Sequence, residues 1–208
     1  MLITFEGIDG SGKSTQARLL EAYFHRQGCE TLLVREPGGP PLAERVRALL
    51  LDGDVAISPF AELLLFSAAR AQLVAETLRP ALNAGTIVLC DRFYDSTTAY
   101  QGGGRGLADP VWLDAFNRRV TDGLVPDRTY LFDVPLEVAA QRRSGRDAAG
   151  PDRMEAGGDP FFVRVREAYL ALAEREPQRL CVLDGTRSPE ELHEQVVSDI
   201  QPRVQIPS

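Results

Sequence analysis

Five short runs of apolar residues punctuate the chain: Leu2–Glu6, Thr31–Arg35, Thr86–Cys90, Thr129–Val134 and Leu180–Leu183. None alternates apolar with polar positions, so each is expected to be a strand covered on both faces, as in a parallel sheet. The stretches between them carry helical periodicity. In residues 13–27, Ala17, Leu20, Tyr23 and Phe24 fall on one stripe, and Gly28 follows as a C-terminal stop. Residues 59–83 predict one long helix, with Ser58 as N-cap and Pro59 at its first position. Residues 110–121, 136–147, 160–176 and 189–200 also predict helices. Strands alternating with helices specify an α/β doubly wound fold with right-handed crossovers. There is no internal repeat and no linker, so residues 1–208 are expected to form one domain.

Two segments break the periodicity. Glu36-Pro37-Gly38-Gly39-Pro40-Pro41 reads as a rigid turn after the second strand, and the Arg-, Gly- and Asp-rich stretch at 142–158 as a mobile flap.

Composition narrows the function. A net charge of −7 argues against a nucleic-acid or anionic-membrane partner. No apolar run approaches the roughly 20 residues that span a bilayer. The N-terminus reads as a buried strand rather than a signal peptide, so a cytoplasmic location is expected. Cys29, Cys90 and Cys181 are far apart; Cys90 and Cys181, in apolar runs, are expected in the core, and neither a disulfide framework nor zinc is expected. His25 and His193 are expected at the surface. Of 23 basic residues, one is lysine, Lys13. A compact ammonium on a flexible stem suits phosphate chemistry where a planar fork does not fit.

That lysine belongs to Gly7-Ile8-Asp9-Gly10-Ser11-Gly12-Lys13-Ser14, a G-x-x-x-x-G-K-[ST] sequence between a strand and a helix. The glycines let backbone N–H groups turn in around phosphate oxygens, Lys13 reaches the β- and γ-phosphates, and Ser14 offers its hydroxyl to Mg²⁺. Thr15 continues the ATP-binding segment. Further on, a strand ends in Asp91-Arg92, at the carboxyl end where ligands of open parallel sheets sit. Asp91 is placed to hold Mg²⁺ or its water and Arg92 to grip a phosphate; a strand-end salt bridge is the plainer alternative.

Six motifs in order give the chain a resemblance to bacterial thymidylate kinases over almost its whole length. They are Phe5-Glu6-Gly7, Arg35-Glu36-Pro37-Gly38-Gly39, Leu65-Phe66-Ser67-Ala68-Ala69-Arg70, Asp91-Arg92-Phe93, Ser96 through Tyr100-Gln101-Gly102-Gly103, and Asp152-Arg153-Met154-Glu155. The resemblance implies five parallel strands, a helix-packed homodimer, and transfer of the γ-phosphoryl of ATP to dTMP. It implies that Phe66 stacks on thymine while Arg70 bonds its carbonyl edge; residues 66 and 70 share a helix face. It implies that Asp9 accepts the sugar 3′-hydroxyl and that Tyr100 crowds the 2′ position. Ser96, Thr97 and Gln101 match positions near the acceptor, and Glu36 and Arg47 match positions lining its pocket. Asp184 and Thr186 match the loop bordering adenine. The flap resembles the family's LID. Because the P-loop carries no arginine, the catalytic arginine is expected in the LID, with Arg146 and Arg153 the choices alongside Lys13 and Arg92.

Overall fold

The computed structural model describes residues 1–144 and 158–204. Strand β1 (Leu2–Glu6) is wholly buried and occupies the middle of a five-stranded sheet of order β2-β3-β1-β4-β5. β3 (Ile87–Asp91) flanks it on one side and β4 (Arg128–Asp133) on the other. β2 (Thr31–Arg35) and β5 (Leu180–Asp184) are the edges, and every pairing is parallel. Alternate residues of β1 feed different clusters: Ile3 and Phe5 pack with Leu20, Phe24, Val196 and Ile200, whereas Leu2 packs with Leu73, Val88 and Phe93 on the opposite face. The three inner strands therefore read as continuous apolar runs because both their faces are covered.

The edge strands depart from that expectation. All of β2 is half-buried or exposed, Val182 of β5 is 45% exposed, and Cys181 is only half-buried. A strand with one neighbour has less to cover it. Strand limits otherwise move by a residue: β3 covers 87–91 rather than 86–90, β4 128–133 rather than 129–134, and β5 extends to Asp184.

Helix α1 (Lys13–Arg26) lies against the sheet beside the last helix. Helix α2 (Pro41–Leu51) was not anticipated; it begins where the rigid turn was expected to end and buries only Ala43 and Leu50. The expected helix 59–83 is three consecutive pieces. α3 (Pro59–Leu73) passes into a π-turn over Val74–Leu78 and then α4 (Arg79–Asn83). Pro80 cannot donate to the carbonyl one α-turn back and its ring crowds that group, and a widened turn relieves the conflict.

After β3 come a single turn, α5 (Tyr94–Thr97), and a second π-turn, Thr98–Gly104. α6 (Pro110–Val120) is capped by Asp109, whose carboxylate accepts from Val111 N–H and Trp112 N–H. α7 (Leu136–Ser144) and α8 (Gly158–Arg175) stand on either side of residues 145–157 in the chain, and α9 (Pro189–Ile200) starts in a capping box of Ser188 and Glu191. His25 is exposed as expected. His193 is half-buried, its ring centroid 6.2 Å from that of Tyr23. Among the described residues no helix is long and apolar enough to cross a membrane.

Candidate active site

β1 ends at Glu6 and the chain turns through Gly7–Gly12 into α1. Gly10 has φ 86°, and a Cβ there would lie 2.5 Å from the Ala139 carbonyl oxygen, so no other residue fits without moving backbone. No side chain caps α1, whose N-cap is Gly12, leaving its first N–H groups directed at the loop. An uncapped N-terminus inside such a turn is a phosphate cradle.

Lys13 reaches back over this loop. Its ammonium donates to Ile8 O at 3.3 Å and to Asp9 Oδ1 at 3.2 Å, and its side chain is 7% exposed. Burial lowers its pKa and the neighbouring Arg92 adds to that, with Asp9 and Asp91 opposing. The Ser14 hydroxyl donates to Asp91 Oδ2, while Asp91 Oδ1 is buried with no partner among the described residues.

The neighbouring strand β3 ends in a strained turn. Arg92 has φ 73°, the left-handed region that non-glycine residues rarely enter. Its guanidinium donates to Asp9 Oδ1 at 2.8 Å, Ser96 Oγ at 3.1 Å and Tyr100 OH at 3.2 Å. Desolvation opposes ionisation of Asp9, but Arg92 and Lys13 outweigh it and hold the carboxyl well below the usual range.

Beneath the turn lies Glu6, which sequence reasoning placed in a motif without a role. Glu6 Oε1 accepts from Phe93 N–H at 2.7 Å, and Oε2 from Ser96 Oγ at 2.6 Å and Tyr169 OH at 2.8 Å. Burial, with Asp95 adding to it, pushes the Glu6 carboxyl up to about 7. The turn that presents Arg92 is thus pinned from inside the core. The signal in the sequence was a carboxylate ending an apolar strand.

All ten residues expected to contact the acceptor line one cavity of about 610 Å³, measured with its open mouth. Asp9 enters from the P-loop. Glu36 and Arg47 come from the turn after β2 and from α2, Phe66 and Arg70 from α3, Arg92 from the end of β3. Ser96, Thr97, Tyr100 and Gln101 come from the two turns that follow. Phe66 is half-buried against the Tyr100 cluster rather than sunk in the core. Arg70, 2% exposed, donates from Nε to Glu36 Oε2 at 2.7 Å, from Nη1 to Thr97 Oγ1 at 2.6 Å and from Nη2 to Phe93 O at 3.1 Å. Glu36 is the partner that an arginine on so apolar a helix requires. Burial raises the Glu36 pKa against the pull of Arg70, and its Oε1 has no partner among the described residues. Arg47 donates to Pro37 O at 3.0 Å. Pro37 and Leu51 complete the wall unanticipated; Leu51 ends the helix that the sequence did not disclose.

Asp184 and Thr186 stand exposed at the end of β5, the Thr186 hydroxyl donating to Asp184 Oδ1 at 2.6 Å. Arg142 ties this loop to α7 by donating to Gly185 O at 2.8 Å, and Arg143 donates to Asp9 O at 3.0 Å. Arg146 and Arg153 lie outside the described residues, as does most of the 142–158 segment.

The phosphate-loop turn and a cavity lined by polar side chains meet at Asp9, which Arg92 holds from the cavity side, an arrangement that suits a P-loop phosphotransferase with a small-molecule acceptor. The family model described as thymidylate kinase matches residues 5–196. The chain is 46% identical to the thymidylate kinase of Chlorobium chlorochromatii, covering 99% of this chain and 96% of that protein. It is 47% identical to that of Deinococcus radiodurans, covering 98% and 97%. The crystal structure of thymidylate kinase from Ehrlichia chaffeensis superposes with a TM-score of 0.78 at 36% identity, covering 97% of this chain and 98% of that one. The chain belongs to the thymidylate kinase family, whose members are ATP-dependent phosphotransferases.

Proposed function

We propose that this chain moves the γ-phosphoryl of ATP onto the phosphate of dTMP, giving ADP and dTDP, with each residue role assigned as follows. The observation that carries the assignment is the meeting of the two at Asp9: it belongs to the phosphate loop and lines the cavity holding Phe66 and Arg70, from which Arg92 holds it. ATP phosphates lie in the loop of Gly7 to Ser14, with Lys13 on the β/γ oxygens and Asp184 and Thr186 beside adenine. In the acceptor cavity the base stacks on Phe66, Arg70 donates to its carbonyl edge, Thr97 and Gln101 approach it, and Tyr100 closes the sugar's 2′ side. Arg92, assisted by Ser96, grips the acceptor phosphate, and Glu36 and Arg47 line the cavity's outer side.

Mg²⁺ fits the oxygens present: the Ser14 hydroxyl and Asp91, whose Oδ1 is buried and unpartnered among the described residues. Mg²⁺ takes one or two protein oxygens and completes its shell with phosphate and water. When bound it supplies neutralisation of β- and γ-phosphate charge.

The acceptor phosphate is already an anionic nucleophile, so the protein's own work is in-line positioning and charge stabilisation. Arg92 orients the acceptor, Lys13 draws the γ-phosphoryl, and a LID arginine, Arg146 or Arg153, adds positive charge as the transition state spreads. Closure of the LID excludes water as a competing acceptor. The working unit is a homodimer acting in the cytoplasm. The test is a panel of nucleoside monophosphates with Mg·ATP, read as ADP release. dTMP is turned over while dCMP and thymidine are ignored; equal turnover of dCMP defeats the assignment.

A further inference from the structure

Glu62, Phe66 and Arg70 recur every four residues along α3, so all three stand on one helix face. Phe66 and Arg70 line the acceptor cavity, and Glu62 lies behind it, its side chain 1% exposed. Glu62 Oε1 accepts from Gln101 Nε2 at 3.0 Å and from Arg105 Nε at 3.4 Å, and Oε2 accepts from Arg105 Nη2 at 3.2 Å. Gln101, 2% exposed, lines the same cavity from the π-turn after α5.

A glutamine side chain offers a donor at one end and an acceptor at the other, and nothing in the residue itself selects which faces a ligand. A carboxylate decides it. The Glu62 carboxylate, ion-paired with Arg105 at 3.2 Å, offers only acceptors, so the Gln101 amide nitrogen faces Glu62. The amide oxygen is then the polar atom left for the cavity. We propose that Glu62 is a specificity-positioning residue: by holding the Gln101 nitrogen it turns the amide oxygen toward the ring position next to the carbonyl read by Arg70, demanding an N–H there. Thymine carries a hydrogen on N3 and a carbonyl on C4. Cytosine carries a bare lone pair on N3 and an amino group on C4, so it meets an acceptor with an acceptor and a donor with a donor. Both mismatches are buried, where unpaired polar groups cost most.

This inference rests on the proposed base contacts of Arg70 and Gln101. In Glu62→Gln the second amide can donate or accept, and Gln101 is released to turn either end toward the base. Relative to wild type, the ratio of kcat/KM for dTMP over dCMP falls by about ten-fold or more, mainly through a higher dTMP KM, while the ATP KM stays put. A Glu62 that merely stabilised α3 would lower the melting temperature and leave that ratio alone. A folded Glu62→Gln protein whose ratio stays within about two-fold of wild type overturns the proposal. Gln101→Ala separates the two levels. If it lowers the ratio and Glu62→Gln does not, only the role of Glu62 falls; if it too leaves the ratio unchanged, the base contact falls with it. Should Glu62→Gln not fold, nitrogen-labelled wild-type protein still decides. One Gln101 side-chain amide proton is expected to be protected from solvent exchange, and exchange as fast as that of exposed glutamines overturns the proposal.

Discussion

Lys13 is the only lysine of the chain and its ammonium lies over the phosphate loop, between Ile8 O and Asp9 Oδ1. An amine-selective reagent therefore has Lys13 and the N-terminus to modify, and Mg·ATP is expected to protect both Lys13 and activity. Full activity after stoichiometric labelling of Lys13 refutes the role. Lys13→Arg is expected to cost about 10²–10³-fold in kcat, since a planar fork cannot take the place of a point charge in so tight a loop. Phe66 makes a second prediction at this scale. Because it is half-buried at a cavity wall, Phe66→Ala is expected to raise the dTMP KM by roughly 10- to 100-fold, the worth of about 1–3 kcal/mol of base stacking. The ATP KM should hardly change. An unaltered dTMP KM in a folded variant sinks the stacking role. The place of Lys13 in a phosphate loop was legible in residue types and spacing, whereas the role proposed for Phe66 came from the family resemblance. The hydrogen bonds that organise them, such as Arg70 to Glu36 across 34 positions or Glu6 to Phe93 across 87, join residues that no local pattern connects.

Polar clamps tie elements to one another. β4 and α9 meet at Asp199, which accepts from Arg128 Nε at 2.8 Å, Arg128 Nη2 at 2.7 Å and Tyr130 OH at 2.8 Å. Burial opposes ionisation of Asp199, but the Arg128 and Tyr130 bonds win and its pKa lies below the ordinary 3.8. A depressed carboxyl stabilises the fold above its unfolded pKa, and that stabilisation disappears as pH falls through the folded value. Asp199→Asn is therefore expected to be less stable than wild type at pH 7 by about 2 kcal/mol, since it leaves Arg128 buried with a weaker partner. The difference should shrink as the pH drops below 3.8. Denaturant titrations of both proteins at neutral and acid pH check this, and a pH-independent difference refutes it. Strands and long helices were legible as elements because burial on two faces and the 3.6-residue period leave marks in the sequence. α2 and the two π-turns were not: α2 buries two residues along its length, and a π-turn answers to crowding by Pro80 or to the needs of the site rather than to a period.

At the scale of the whole molecule, several exposed large apolar side chains fall on three helices that pack together. Leu42 and Leu49 stand on α2, Phe60 and Leu64 on α3, and Val111 and Trp112 on α6, with α3 packed between the other two. Exposed apolar side chains on adjoining helices suit an interface, and the proposed homodimer would form on this face. Leu64, 46% exposed, is the sensitive point. Leu64→Glu is expected to give a monomer in analytical ultracentrifugation without loss of folded structure; an unchanged dimer places the interface elsewhere.

By itself the sequence determined which chemistry this protein carries. Residue types at fixed spacing specify a phosphate loop, a strand-end Asp91-Arg92 pair, an aromatic and an arginine four apart on one helix, and an alternation of elements that admits only a parallel sheet. Those are local facts, set by backbone geometry within a few residues. Tertiary structure alone decided how the pieces face one another. It brought the P-loop, α2, α3 and the turn after β3 around one cavity, held Arg92 in a left-handed turn over buried Glu6, and set Glu62 behind Gln101. The reason is physical: a hydrogen bond or an ion pair between distant segments depends on sheet order and helix packing, which no single window of the chain contains.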